Sequence, residues 1–225
     1  MKYALKACVA ALALVAATPA AADIVSYNGT DYNVGDTINI SFVGSASDGG
    51  PSEYEGVTGD LTLTLTSVTD GDYLFAYNLL NTTTDPDQPD VELSGFGFNI
   101  DPDIDGATAT GPLTVDSGQI SNGTFLEFCP TAGPNCAGGG SDGIAAGEDF
   151  DGTFTLLFGT DPGTIYITSP TVRFQSSGAD GEGSGIGTPG VVPEPGTWAM
   201  MLMGFGAAGY AMRRRRRIGS IAQLA

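Results

Sequence analysis

No histidine occurs among the 225 residues. A His-based triad, a His general base and a His metal ligand are therefore excluded at once. Carboxylates and a cysteine pair are left for chemistry. Asp101-Pro102-Asp103-Ile104-Asp105-Gly106 opens like an EF-hand-type calcium loop. Three carboxylates at alternate positions can wrap one hard cation, and Gly106 suits the tight turn. The place of the closing Glu is held by Pro112 and no helix flanks the run, so a true EF-hand is excluded. Two readings stay open. One is a calcium site in a β-sandwich loop, with Asp116, Asp87 or Asp90 as remote ligands. The other is a solvated Asp-rich turn in an acidic chain. Asp85-Pro86-Asp87-Gln88-Pro89-Asp90 and Asp149 to Asp151 are weaker versions of the same pattern.

Acid–base hydrolysis of a glycoside needs two carboxyl groups about 5–10 Å apart in a cleft. With 26 Asp and Glu in the chain, no pairing can be singled out from sequence. Glu127, between Leu126 and Phe128, is the acid best placed for an altered pKa; its plainer reading is an outward strand residue. No G-x-S-x-G, phosphate loop or nucleotide motif is present, and the chain reads as a non-enzyme. Tyr27, Tyr32, Tyr54 and Tyr166 are candidates for a sugar-stacking platform, with core packing as the alternative.

The elements that must position these residues read as strands. Thr37 to Val43 alternates with Ile38, Ile40 and Phe42 on one face. Leu61 to Thr66 alternates Leu and Thr. Tyr73 to Leu80 follows across Asp70-Gly71-Asp72, which predicts a hairpin. Val91 to Ile100 places Phe96, Phe98 and Ile100 on one face; Gly95 and Gly97 on the other leave room for close packing. Leu113 to Val115, Thr124 to Phe128, Phe154 to Phe158, Ile165 to Ile167 and Val172 to Phe174 extend the set, and Ile24 to Tyr27 reads as an edge strand. No helical periodicity of ten residues interrupts residues 23–190. The pattern predicts an all-β domain over 23–175, an antiparallel β-sandwich of jelly-roll-like type. Residues 176–192 (SSGADGEGSGIGTPGVV) read as a Gly/Ser-rich flexible linker, and Gly138 to Gly143 as a flexible surface loop.

Charge is divided sharply. Residues 23–192 hold 25 Asp and Glu against a single basic residue, Arg173, for a net −24. Such a surface repels nucleic acid and anionic lipid. The remaining basic residues lie at the two ends. Met1 to Ala22 has Lys2 and Lys6, an apolar run from Ala7 to Ala17, and Ala20-Ala21-Ala22 before Asp23. This is the form of a cleaved secretory signal peptide, and the run is short for a membrane anchor. Export leaves two cysteines after Cys8 departs. Cys129 and Cys136 enclose Pro-Thr-Ala-Gly-Pro-Asn, a tight loop in an oxidising compartment, which favours a local disulfide over a metal or redox pair.

At the other end, Pro193-Glu194-Pro195-Gly196-Thr197-Trp198-Ala199 precedes the apolar Met200 to Met212. Five arginines follow: Arg213, Arg214, Arg215, Arg216 and Arg217. Gly196 to Met212 makes about 25 Å of helix at 1.5 Å per residue, barely enough for a bilayer core of about 30 Å. Each Arg at the bilayer centre costs about 2.5–3.5 kcal/mol, so the cluster acts as a stop-transfer plug. That topology leaves residues 218–225 as a cytoplasmic tail.

The combination over residues 193–217 resembles the PEP-CTERM sorting signal in its PEPxxWA form. Pro193, Glu194, Pro195, Trp198 and Ala199 carry the motif, followed by the short helix and the Arg cluster. The eight residues after the arginines are a mild departure, since such tails usually stop sooner. The resemblance implies an exported protein of an exopolysaccharide-producing Gram-negative bacterium. It also implies an exosortase, a membrane-embedded cysteine transpeptidase, as partner, with transient anchoring in the inner membrane. Removal of the tail near the motif would then deliver the domain to the cell surface or extracellular matrix. For the domain itself two roles are open. One is a non-catalytic surface or matrix protein with no cofactor, and the other is a calcium-dependent carbohydrate-binding module.

Overall fold

The computed structural model describes residues 23–46, 53–84, 86, 90–121, 123–137, 143–177, 183–190, 203 and 205. The described strands are β1 (Ile24–Tyr27), β2 (Thr30–Tyr32), β3 (Thr37–Ala46), β4 (Glu53–Thr69), β5 (Asp72–Asn81) and β6 (Glu92–Asp101). They continue with β7 (Gly106–Thr110), β8 (Thr114–Ser121), β9 (Thr124–Thr131), β10 (Asp149–Leu157), β11 (Thr164–Ser177) and β12 (Gly183–Pro189). The signal peptide over 1–22 lies outside the described residues. So do the sorting motif and all five residues of the stop-transfer cluster, Arg213, Arg214, Arg215, Arg216 and Arg217. Of the C-terminal apolar segment only Met203 and Phe205 are described. Among the described residues no helix is long and apolar enough to cross a membrane.

The all-β, antiparallel reading holds. The strands join one sheet in the order β7-β10-β5-β4-β3-β12-β11-β6-β9-β8. This replaces the two separate sheets of a jelly-roll with one continuous sheet, curled into a nearly closed, sandwich-like barrel. Its end strands, β7 and β8, approach each other without pairing. Among the described residues the one parallel pairing is β1 against the first half of β11, and β1 also pairs β2. The alternating residues do what their period dictates. Ile38, Ile40, Phe42, Leu61, Leu63, Leu65 and the odd positions of β5 from Tyr73 to Leu79 are all buried. Asp70 and Gly71 turn the β4–β5 hairpin at φ 54° and 88°, a left-handed pair matched to the strand twist.

An aromatic cluster fills the interior. Phe154 stacks on Phe75 at 4.9 Å between centroids and meets Phe128 at 4.6 Å. It also lies 6.1 Å from both Phe96 and Phe98, so one ring ties β5, β6, β9 and β10 together. Burying a side chain of this kind contributes about 1.5–3 kcal/mol. A second, smaller core of Ile120, Leu126, Cys129 and Cys136, with Ile186 against it, lies apart from the first. Its strands β8 and β9 press closely on β6. A Cβ on Gly95 would stand 2.5 Å from the Pro130 carbonyl oxygen, and one on Gly97 2.6 Å from both Leu126 and the Phe128 carbonyl. The close packing expected at these two glycines is therefore met by β9.

The spacer reading of 176–192 is corrected over 183–189. That segment is β12, antiparallel to both β3 and β11. Its inward positions are Gly185 and Gly187, both buried. A Cβ on Gly187 would meet Val172 at 2.6 Å and Phe174 at 2.8 Å. The strand thus contributes backbone where a spacer-like composition suggested nothing to bury. The two expected strands at 165–167 and 172–174 are one strand, β11, with an irregular register between Thr168 and Thr171 and Ser169 at φ 51°. Alternation gives no sign of β2 and β7; both are short and have polar or small sequences, TDY and GATAT.

Candidate functional site

The clearest cleft opens at the seam between the two unpaired edges. It measures about 550 Å³ and is lined by Ile104 to Ala107 before and within β7, Val115 to Gly118 of β8, and Phe125 to Glu127 of β9. Its carboxylates are Asp105, Asp116 and Glu127, and Phe125 stands at its wall 66% exposed.

Each of these acids already holds backbone. Glu127 accepts from Ile100 N at 3.1 Å and from Ile104 N at 2.5 Å. Its own amide donates to Asn99 Oδ1 at 2.9 Å. One carboxylate on β9 therefore pins both sides of the Asp101-to-Asp105 turn, which contains a cis Asp101-Pro102 bond. Asp105 Oδ2 accepts from Gly159 N, and Asp116 Oδ2 accepts from Cys136 N at 3.2 Å. Carboxylates so engaged shape turns rather than converge on one point. Among the described residues no group of three or more Cys, Asp or Glu side chains is placed to hold a metal ion. Asp101, Asp103 and Asp105 share one turn without forming such a group. Of the remote ligands, Asp116 lies across the cleft on β8, Asp90 is exposed ahead of β6, and Asp87 is outside the described residues. What the seam offers is an open, acidic, half-apolar wall with one exposed ring and two free strand edges.

The stacking candidates separate. Tyr27 and Tyr32 pack against the main core, whereas Tyr166 is 48% exposed. Tyr54's side chain lies outside the described residues. Phe125 is the exposed ring that sequence reasoning missed. Its signal was parity: in Thr124-Phe125-Leu126-Glu127-Phe128 it shares a face with Glu127, opposite Leu126 and Phe128.

Cys129 and Cys136 are both buried in the small core, as free thiols. A hydrogen bond between them, then burial, then the nearby Cys136 and Asp116 push the Cys129 thiol far above its usual range. Arg173, the lone cation of residues 23–192, is spent on structure. It donates from Nη1 to the Ile120 carbonyl at 3.1 Å and from Nη2 to Ser184 Oγ at 2.8 Å, joining β11 to β8 and β12. Burial lowers its pKa.

The last described residues before the motif are still held by the sheet. Thr188 pairs with Val43 and Pro189 with Phe42, and Gly190 N donates to the Ser41 carbonyl at 2.9 Å. Two valines then precede Pro193. The motif residues Pro193, Glu194, Pro195, Trp198 and Ala199 lie outside the described residues, as do Arg213, Arg214, Arg215, Arg216 and Arg217. No curated protein and no solved structure matches the chain. Residues 191–217 do match a family model, described as the PEP-CTERM protein-sorting motif, so the match begins directly after Gly190, the last described residue before it.

Proposed function

We propose that the chain is an exported, non-catalytic surface or extracellular-matrix protein of an exopolysaccharide-producing Gram-negative bacterium. Its tail is read and removed by an exosortase. The observation that carries this reading is the sorting motif at residues 191–217. The physics of the tail supports it. Pro193 and Pro195 keep the motif extended and out of the following helix. The short apolar segment from Gly196 to Met212 reaches into the bilayer, and Arg213 to Arg217 hold its far end on the cytoplasmic side. The motif is thereby presented at the outer face of the inner membrane. Cleavage releases a domain of strongly acidic surface, soluble by self-repulsion and suited to a hydrated polymer matrix. The sequence holds no histidine, which removes His-dependent catalysis from consideration.

The test is replacement of Pro193-Glu194-Pro195 by Ala-Ala-Ala in the full chain. The variant is expected to remain in the inner membrane at full length, while the wild-type protein is released without residues beyond Trp198. Mass spectrometry of the two forms reads the result. Equal processing of both would refute the sorting role.

A further inference from the structure

We infer that β12 is a latch on processing: while it stays docked between β3 and β11, the cleavage segment is withheld from the sorting enzyme. The inference rests on the sorting role proposed above and adds a control to it. Over 183–189, the stretch expected to space the domain from the motif is a strand of the sheet. β12 runs to Pro189, and Gly190 is still bonded to Ser41. Only Val191 and Val192 separate that bond from Pro193. Three extended residues span at most about 10 Å. A peptidase grips several residues on each side of the bond it cuts, in extended form. Around Pro193 to Pro195, the upstream part of that grip falls on Thr188 to Val192. The first three of those residues are committed to the barrel.

The strand is firmly held toward its start and weakly at its end. Gly185 and Gly187 are buried, and a side chain on Gly187 would collide with Phe42, Val172 and Phe174. Ile186 packs on the small core. Past Gly187, Thr188 is exposed, and Pro189 has no N–H to donate to the ladder. The end can therefore unzip without undoing the barrel. Release of Thr188 to Gly190 frees the upstream grip, and redocking after the cut leaves a complete sheet in the exported product.

Two full-length variants test this by pulse–chase, read as the half-time for loss of the tail. The first inserts six Gly/Ser residues between Gly190 and Val191, leaving every strand unchanged. The second places Val43→Cys and Thr188→Cys across the β3–β12 pair, both positions being exposed, to lock the strand end. The spacer variant is expected to lose its tail at least threefold faster than wild type, and the locked variant at least tenfold slower. Joining lock and spacer in one chain should restore the fast rate, which shows that the lock neither misfolds the domain nor harms the enzyme. Equal half-times for wild type, spacer and locked chains overturn the latch while leaving sorting intact. A wild-type chain that loses its tail no faster than the Ala-Ala-Ala motif variant overturns both.

Discussion

Glu127 shows how far a single side chain can depart from its sequence appearance. Flanked by apolar residues in a strand, it reads as a spare surface acid or a tuned catalytic one. In the fold its two oxygens receive the amides of Ile100 and Ile104. Hydrogen bonds to a charged group contribute about 1.5–3 kcal/mol each, and the loss is greater where donors are left buried. Glu127→Ala is therefore expected to lower stability by about 2–4 kcal/mol, read from the denaturant midpoint of the residue 23–192 domain. A loss below about 0.5 kcal/mol, the scale of an ordinary surface substitution, would contradict the brace. Asn81 tells a similar story. Its side chain is polar yet buried, donating to the Val91 and Ile144 carbonyls at 3.0 and 2.9 Å. The cysteines belong to this scale too. The two cysteines are buried together in the small core. Oxidation on export would close a short loop, worth about 2.5 kcal/mol in the chain-entropy model. Cys129→Ser/Cys136→Ser is expected to melt below the wild-type protein. Alkylation of the exported form before and after reduction should show two thiols appearing only on reduction.

Among the elements, β12 carries the most information. Its glycines are a packing requirement: Phe174 lies against the spaces left by Gly44, Gly59 and Gly187. Gly187→Val would drive a branched side chain into Val172 and Phe174. Overpacking of this kind costs about 1–3 kcal/mol, and the strand end should become open to proteolysis before the rest of the barrel. Limited proteolysis with mass mapping checks the order. A cut at β12 no earlier than elsewhere would count against it. The seam between β7 and β8 is the other informative element. Two free edges invite pairing with another chain. Here β7 is only five residues long and β8 contains Gly118 at φ 139°; brevity and irregular backbone both make an edge a poor template.

For the whole molecule, charge is the dominant fact. A net −24 over residues 23–192 with its only cation committed to carbonyl and hydroxyl partners leaves the surface repelling itself. Salt screens that repulsion. Raising sodium chloride from about 10 to about 500 mM should raise the domain's Tm by several degrees, measured by circular dichroism. A lower Tm at high salt would mean that attractive ion pairs outweigh the repulsion.

Residue types and spacing alone set the period-two strands, the inward faces of β3 and β4, the β4–β5 turn, the acidic surface and the sorting motif. All of these are local: alternation, turn chemistry and a contiguous signal depend on residues near one another in the chain. It takes the folded chain to show that the strands form one curled sheet, that β9 lies on Gly95 and Gly97, that Glu127 braces the Asp turn, and that a glycine-rich stretch is a central strand. The physical reason is the same in each case. A missing side chain or a lone carboxylate acquires meaning only from the backbone that comes to lie beside it, and that backbone is distant in sequence.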